Sequence, residues 1–124
     1  MLGSVIVLLA VLVPHPAVYV KGHSRAAAKT REDLQTRTCY SLARSPEKSD
    51  AVLEVDHLFD RSGDQSVVMV LVDSKGKVVW ESKTAIDPIP LRSPVNRLLK
   101  RLARSTCSAP DLLAAAGQRA EPAR

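Results

Sequence analysis

A six-residue apolar run from Val67 to Val72, followed at once by Asp73, Ser74, Lys75 and Gly76 and then by Lys77 to Lys83, constrains this chain more than any other stretch. The run is short and rich in β-branched valine, so it reads as a strand. Because it is apolar on both faces, it reads as a central one. Gly76 closes the polar turn in the left-handed conformation that glycine adopts without strain, and a bulge is expected beside it, the usual form of a tight hairpin. Lys77 to Lys83 therefore returns antiparallel. Alternation puts Val78 and Trp80 on one face, with Trp80 in the core rather than on a binding surface. A sheet has to bury a face, and Tyr19, Tyr40, Phe59 and Trp80 make up the aromatic 3% of the chain, so that core must be aliphatic. The same scarcity removes stacking platforms for bases or sugars.

The remaining elements follow from shorter signals. Ala17 to Lys21 reads as a strand ended by Gly22. Ser24 then caps a helix to about Arg37, its hydroxyl taking an orphan amide of the first turn. Ala27, Thr30 or Arg31, Leu34 and Thr38 recur on one thin face that allows close approach to a sheet. Cys39 to Ala43 reads as a second strand, which closes a strand-helix-strand unit with parallel strands and a right-handed connection. Pro46 opens a polar turn. From Ala51 to Phe59 the pattern alternates, with Leu53, Val55, His57 and Phe59 to one side and Val52, Glu54, Asp56 and Leu58 to the other. Pro88 and Pro90 make a loop of 86–92. Ser93 and Pro94 start the last helix, one as cap and one at the position where a missing amide costs nothing. Val95, Leu98, Leu99, Leu102 and Ala103 form its apolar stripe. The expected fold is α+β: one two-layer domain over 15–107, in the order β-α-β-β-β-α, whose mixed sheet carries both helices on one face. The segment 108–124 reads as a flexible tail.

At 124 residues no second core is expected. The apolar run from Ser4 to Val13 is about half as long as a bilayer-crossing helix needs, so no transmembrane span is expected. Its length suits the apolar region of an export signal, and 1–14 is read that way although no basic residue precedes it. The alternative is a buried core strand at 4–13, which would leave the protein cytoplasmic. Cys39 and Cys107 fit no zinc spacing. In an oxidising compartment they would pair, and in a reducing one they would be buried thiols.

The net charge of +5 is segregated: 67–107 holds eight cations against three anions, while 39–66 holds three against six. On the last helix Arg97, Lys100, Arg101 and Arg104 stand at spacings of three and four, a candidate surface for phosphates or anionic lipid, or simply the solvated side of an amphipathic helix. His57 lies among Glu54, Asp56 and Asp60, but alternation turns Glu54 and Asp56 to the opposite face. A catalytic pair would therefore need Asp60 or a neighbouring strand. Asp60 to Asp64 has too few oxygens in sequence for a calcium loop. No nucleophile motif, phosphate-binding glycine loop or metal spacing is present, so neither catalysis nor a cofactor is expected.

Certain words of the sequence also look familiar. Val18 to Gly22, the Ala/Arg/Leu helix into Thr38–Leu42, Pro46 to Val55, Val72 to Glu81 and the closing basic helix into Cys107 resemble small uncharacterised secreted proteins of environmental bacteria, notably Acidobacteria. The middle pair is similar to a pattern in envelope proteins such as penicillin-binding-protein activators and curli-secretion lipoproteins. The resemblance spans about Ala17 to Cys107 and carries no catalytic residues. It implies the same layered fold and an envelope address. No cysteine follows the apolar run, so lipid anchoring is not expected. The combined expectation is a secreted or periplasmic, non-catalytic protein held by a Cys39–Cys107 bridge, with an envelope protein as partner of its open sheet face. The alternative is a basic module for nucleic acid or anionic lipid, and an enzyme using His57 comes third.

Overall fold

A computed structural model of the chain describes residues 16–86 and 93–107. The signal-like segment 1–14, the proline loop and the tail lie outside these residues, as does His15. The elements are β1 (Ala17–Lys21), α1 (Arg25–Arg37), β2 (Ser41–Leu42), a 3-10 turn (Pro46–Lys48), β3 (Ala51–Phe59), β4 (Gln65–Asp73), β5 (Val78–Ala85) and α2 (Pro94–Leu102), which widens into a π-type turn at Ala103–Cys107. The expected α+β order and the mixed sheet are both present. The strands lie in the order β2-β1-β3-β4-β5. β1 runs parallel to β2 and β3, and the other pairs are antiparallel.

One face of the sheet is covered. Val18 and Val20 of β1, Ala51, Leu53 and Val55 of β3, and Val67, Met69 and Leu71 of β4 are all buried there. Against them pack Ala27, Thr30 and Leu34 of α1 and Val95, Leu98, Leu99 and Leu102 of α2. Each of the larger aliphatic side chains contributes roughly 1.5–3 kcal/mol by leaving water. Both helices begin as the sequence suggests: Ser24 Oγ accepts from the Ala27 amide at 3.2 Å and Ser93 Oγ from the Asn96 amide at 3.4 Å, with Pro94 at the first helical position.

Three local features bear on the expectations, and two of them, the first and the third, are corrections. β2 is two residues long rather than five, and side chains take three of the amides in and beside it. The Tyr40 amide donates to Thr38 Oγ1, the Cys39 amide to Cys107 Sγ, and the Leu42 amide, which faces the open edge, to Gln35 Oε1. Second, β4 is interior to the sheet and covered on one side, as a central strand of a sheet with both helices on one face should be. Val68, Val70 and Val72 face away from the helices and are only partly buried. Third, Val78 and Trp80 do not share a face. Leu71 pairs with Trp80 and Val72 with Val78, so Val79 is an extra residue that reverses the alternation. Trp80 therefore joins the core rim while Val78 stands 50% exposed on the other side. The turn itself is as expected, with the Gly76 amide donating to Asp73 O at 3.0 Å and Gly76 at φ +82°. Asp73 Oδ1 also accepts from the amides of Lys75 and Lys77, each at 2.9 Å.

Cys39 and Cys107 form a disulfide with Cα atoms 5.7 Å apart and a sequence separation of 68. It ties the end of α1 to the end of the chain's last helical turn. Beside it Tyr40 is buried against Thr106, whose hydroxyl donates to Leu102 O at 2.7 Å. Burial pushes the Tyr40 phenol above its ordinary 10.0, partly offset by its hydrogen bond with Thr106.

Three outcomes follow from this packing. Gly22 sits at φ +148°, and a Cβ there would lie 2.5 Å from Val55 O and 3.0 Å from Ala27 Cβ. Gly22→Ala is therefore expected to cost about 2–3 kcal/mol in urea unfolding, through strain and overpacking together. Opening the bridge, by reductant or by Cys39→Ser with Cys107→Ser, is expected to cost about 4 kcal/mol in the chain-entropy account of a loop this long. With a folded-state pKa above the unfolded one, Tyr40 adds stability that is intact below pH 10.0 and lost as pH rises through its folded pKa. Tyr40→Phe should flatten that alkaline fall, as followed by circular dichroism.

Candidate functional site

The four cations proposed from the sequence do not act as one face. Arg101 turns to the open edge of β5, where one guanidinium nitrogen donates to Lys83 O and Ser82 Oγ, each at 3.1 Å. Arg97 donates to Ala85 O at 3.0 Å, two residues further along the same edge. Among the described residues no further strand pairs with these outward carbonyls, and the two arginines cover them, which blunts the edge against a second sheet. Lys100 and Arg104 are exposed and turn the other way, toward the end of α1. There they line a groove of about 520 Å³ with Arg97, Ser93, Asn96 and Ala103 on one side and Thr36 and Arg37 on the other. Arg37 was absent from the sequence-derived set because it lies on the other helix, where it pairs with Asp33 at 3.8 Å. Only the crossing of the helices brings it to Lys100 and Arg104.

His57 lies on the covered face as alternation requires, beyond the end of the core. Its Nε2 is 2.9 Å from Gln65 Oε1, and its ring stacks on Phe59 with centroids 4.7 Å apart. Its hydrogen-bond partner is thus an amide across the hairpin. Of the two alternatives the sequence left open, Asp60 or a neighbouring strand, the strand supplies the partner, and Asp60 accepts instead from the Ser62 hydroxyl at 2.6 Å and from the Ser62 and Asp64 amides at 2.9 Å each. These bonds, that of Ser62 first, hold the Asp60 carboxyl below its usual range. Among the described residues no three His, Cys, Asp or Glu side chains gather as a metal site. No described helix is long and apolar enough to cross a membrane.

The second candidate is the face of the sheet that the helices leave bare. Register places Tyr19 beside Val52, Val52 beside Val72, and Val72 beside Val78, an apolar row across four strands. The next rows are Lys21, Glu54, Val70 and Glu81, then Asp56, Val68 and Lys83. Valines of β4 thus run down the centre of a face bordered by charges of both signs. Where the apolar row meets the 3-10 turn, an open groove of about 720 Å³ is lined by Tyr19, Val52, Val72, Pro46 and Glu47 among others. The Arg31 side chain reaches its rim, donating to Gly22 O at 2.6 Å and Val20 O at 3.3 Å beyond the point where short β2 stops pairing. The sequence signal for this face was the both-sided apolarity of β4 in a sheet expected to carry both helices on one side.

No protein-family model matches the chain, and no curated protein is similar to it in sequence. Among solved structures it is similar to uncharacterized lipoprotein B from Nitrosomonas europaea, with 13% identity and a TM-score of 0.52 over 79% of this chain and 88% of that one. It is also similar to the PelC dodecamer protein from Paraburkholderia phytofirmans, with 14% identity and a TM-score of 0.48 over 73% of this chain and 88% of that one. The first of these shows a shared fold.

Proposed function

We propose that this chain is a non-catalytic interaction module of the bacterial envelope that offers the bare face of its sheet to a protein partner. One observation carries the reading: the row Tyr19, Val52, Val72 and Val78, continued down β4 by Val70 and Val68, has no cover among the described residues. Contiguous apolar surface with a charged border is the composition of a recognition patch. The address rests on three supports. A disulfide persists outside the reducing cytoplasm. The apolar run from Ser4 to Val13 has export-signal length. A protein of similar fold, from Nitrosomonas europaea, is a lipoprotein.

The test uses Val70→Lys, which places a charge in the middle of the patch while leaving the helical layer untouched. Tagged protein cross-linked in its host should yield one stoichiometric envelope protein, absent for Val70→Lys and retained for Lys48→Gln, whose side chain lies outside the patch. The reading fails if the cross-linked set is the same for all three forms, or if no protein is captured.

A further inference from the structure

The bare face of the sheet is patterned, and the pattern indicates the shape of what covers it. We propose that the protein partner lays an amphipathic helix along β4, with a narrow apolar stripe on the valines and lysine or arginine on the flank over β3; this rests on the reading of the face as a recognition surface. β4 turns Val67, Met69 and Leu71 to the helical layer and Val68, Val70 and Val72 to the bare face. The second column is about 13 Å long, the length of two to three helical turns. At the row of Tyr19, Val52, Val72 and Val78 the apolar surface is four strands wide. Further along it narrows to one side chain: Val70 stands between Glu54 and Glu81, and Val68 between Asp56 and Lys83.

The narrowing selects a helix. A second sheet laid face to face would bring its side strands down on Glu54 and Glu81 and bury those charges, which is costly unless each is paired. A helix touches the valine column along a line and leaves its flanks beside the charges, where long basic side chains can reach them with their heads still in water. Charge sets the flanks. The β3 side, Glu54 then Asp56, is acidic throughout, whereas the β5 side changes sign from Glu81 to Lys83. Among the described residues none of Glu54, Asp56 and Glu81 forms an ion pair, and Lys21, the cation beside Glu54, stands one strand further from the column. A second copy stacked column on column would set the acids of β3 against one another or Glu54 against Glu81, so like charges oppose that occupant.

The full chain is titrated, at low and at high salt, with three labelled peptides of about 18 residues. Two carry a leucine stripe at helical spacing, one flanked by lysines and one by glutamates; the third has the lysine peptide's composition in strict alternation. The lysine helix should bind best, at least about tenfold more tightly than the glutamate helix at low salt, and the gap should narrow at high salt. Val70→Lys, with unchanged circular dichroism, should abolish that binding. Glu54→Gln with Asp56→Asn should weaken it roughly tenfold, a few-fold for each exposed charge pair. Ala28→Lys with Glu32→Gln makes the same change of net charge at exposed positions of α1 and should alter it by less than about threefold, since distant surface charges are screened. Equal losses in the two double variants, equal binding of the two helices, tighter binding of the alternating peptide, no binding of the lysine helix, or binding untouched by Val70→Lys would each overturn the proposal. So would sedimentation as a dimer that Val70→Lys dissociates, which would make a second copy the occupant. Cross-linking in the host separates the helix from the recognition face itself. An envelope protein lost with Val70→Lys but kept in full by Glu54→Gln with Asp56→Asn leaves the face standing and overturns the basic helix, whereas no captured protein sinks the face.

Discussion

The contact on which the rest depends is the stripe Val95, Leu98, Leu99 and Leu102 pressed against the covered face of the sheet. Once that stripe is down, the other faces of α2 have no freedom left. Its end arrives beside the start of β2, where Cys107 meets Cys39. Arg97 and Arg101 fall along the edge of β5, and Lys100 and Arg104 fall along α1. Four cations that look alike in the sequence are thereby divided between closing a sheet edge and lining a groove, with Arg97 taking part in both.

The covered layer and the bare layer are two consequences of one shortage. Two helices, one of them thirteen residues long with a narrow alanine-lined face, can cover one side of a five-stranded sheet and no more. Among the described residues the valines on the far side of β4 have cross-strand neighbours and no second layer over them, and they remain partly open. Of the four aromatic side chains only Tyr19 lies on that side. Trp80 is drawn to the core rim by the bulge at Val79, and Phe59 stands 67% exposed at the far hairpin beside His57.

Much of this was legible without coordinates, for reasons that differ from place to place. The β4–β5 hairpin, the two serine caps and the faces of β3 are local: each is decided by residues within a few positions of one another, where turn chemistry, capping and alternation act. The bulge at Val79 was misplaced because one extra residue reverses every later side chain, and nothing in Val78-Val79-Trp80 marks which residue is extra. The side-chain bonds around β2 were not legible either, since the Cys39 amide meets Cys107 Sγ from 68 residues away and the Leu42 amide meets Gln35 Oε1 from α1. Arg37 was invisible as a site residue because it belongs to another helix, sixty residues before Arg97.

By itself the sequence determined the elements, their order, an aliphatic core and the availability of two thiols, since periodicity, caps and composition are properties of the chain read in one direction. The tertiary structure decided which arginines serve the sheet and which serve the groove, and that His57 meets an amide. Those outcomes depend on distances between segments far apart in the chain, and only the packing of α1 and α2 across the strands sets those distances.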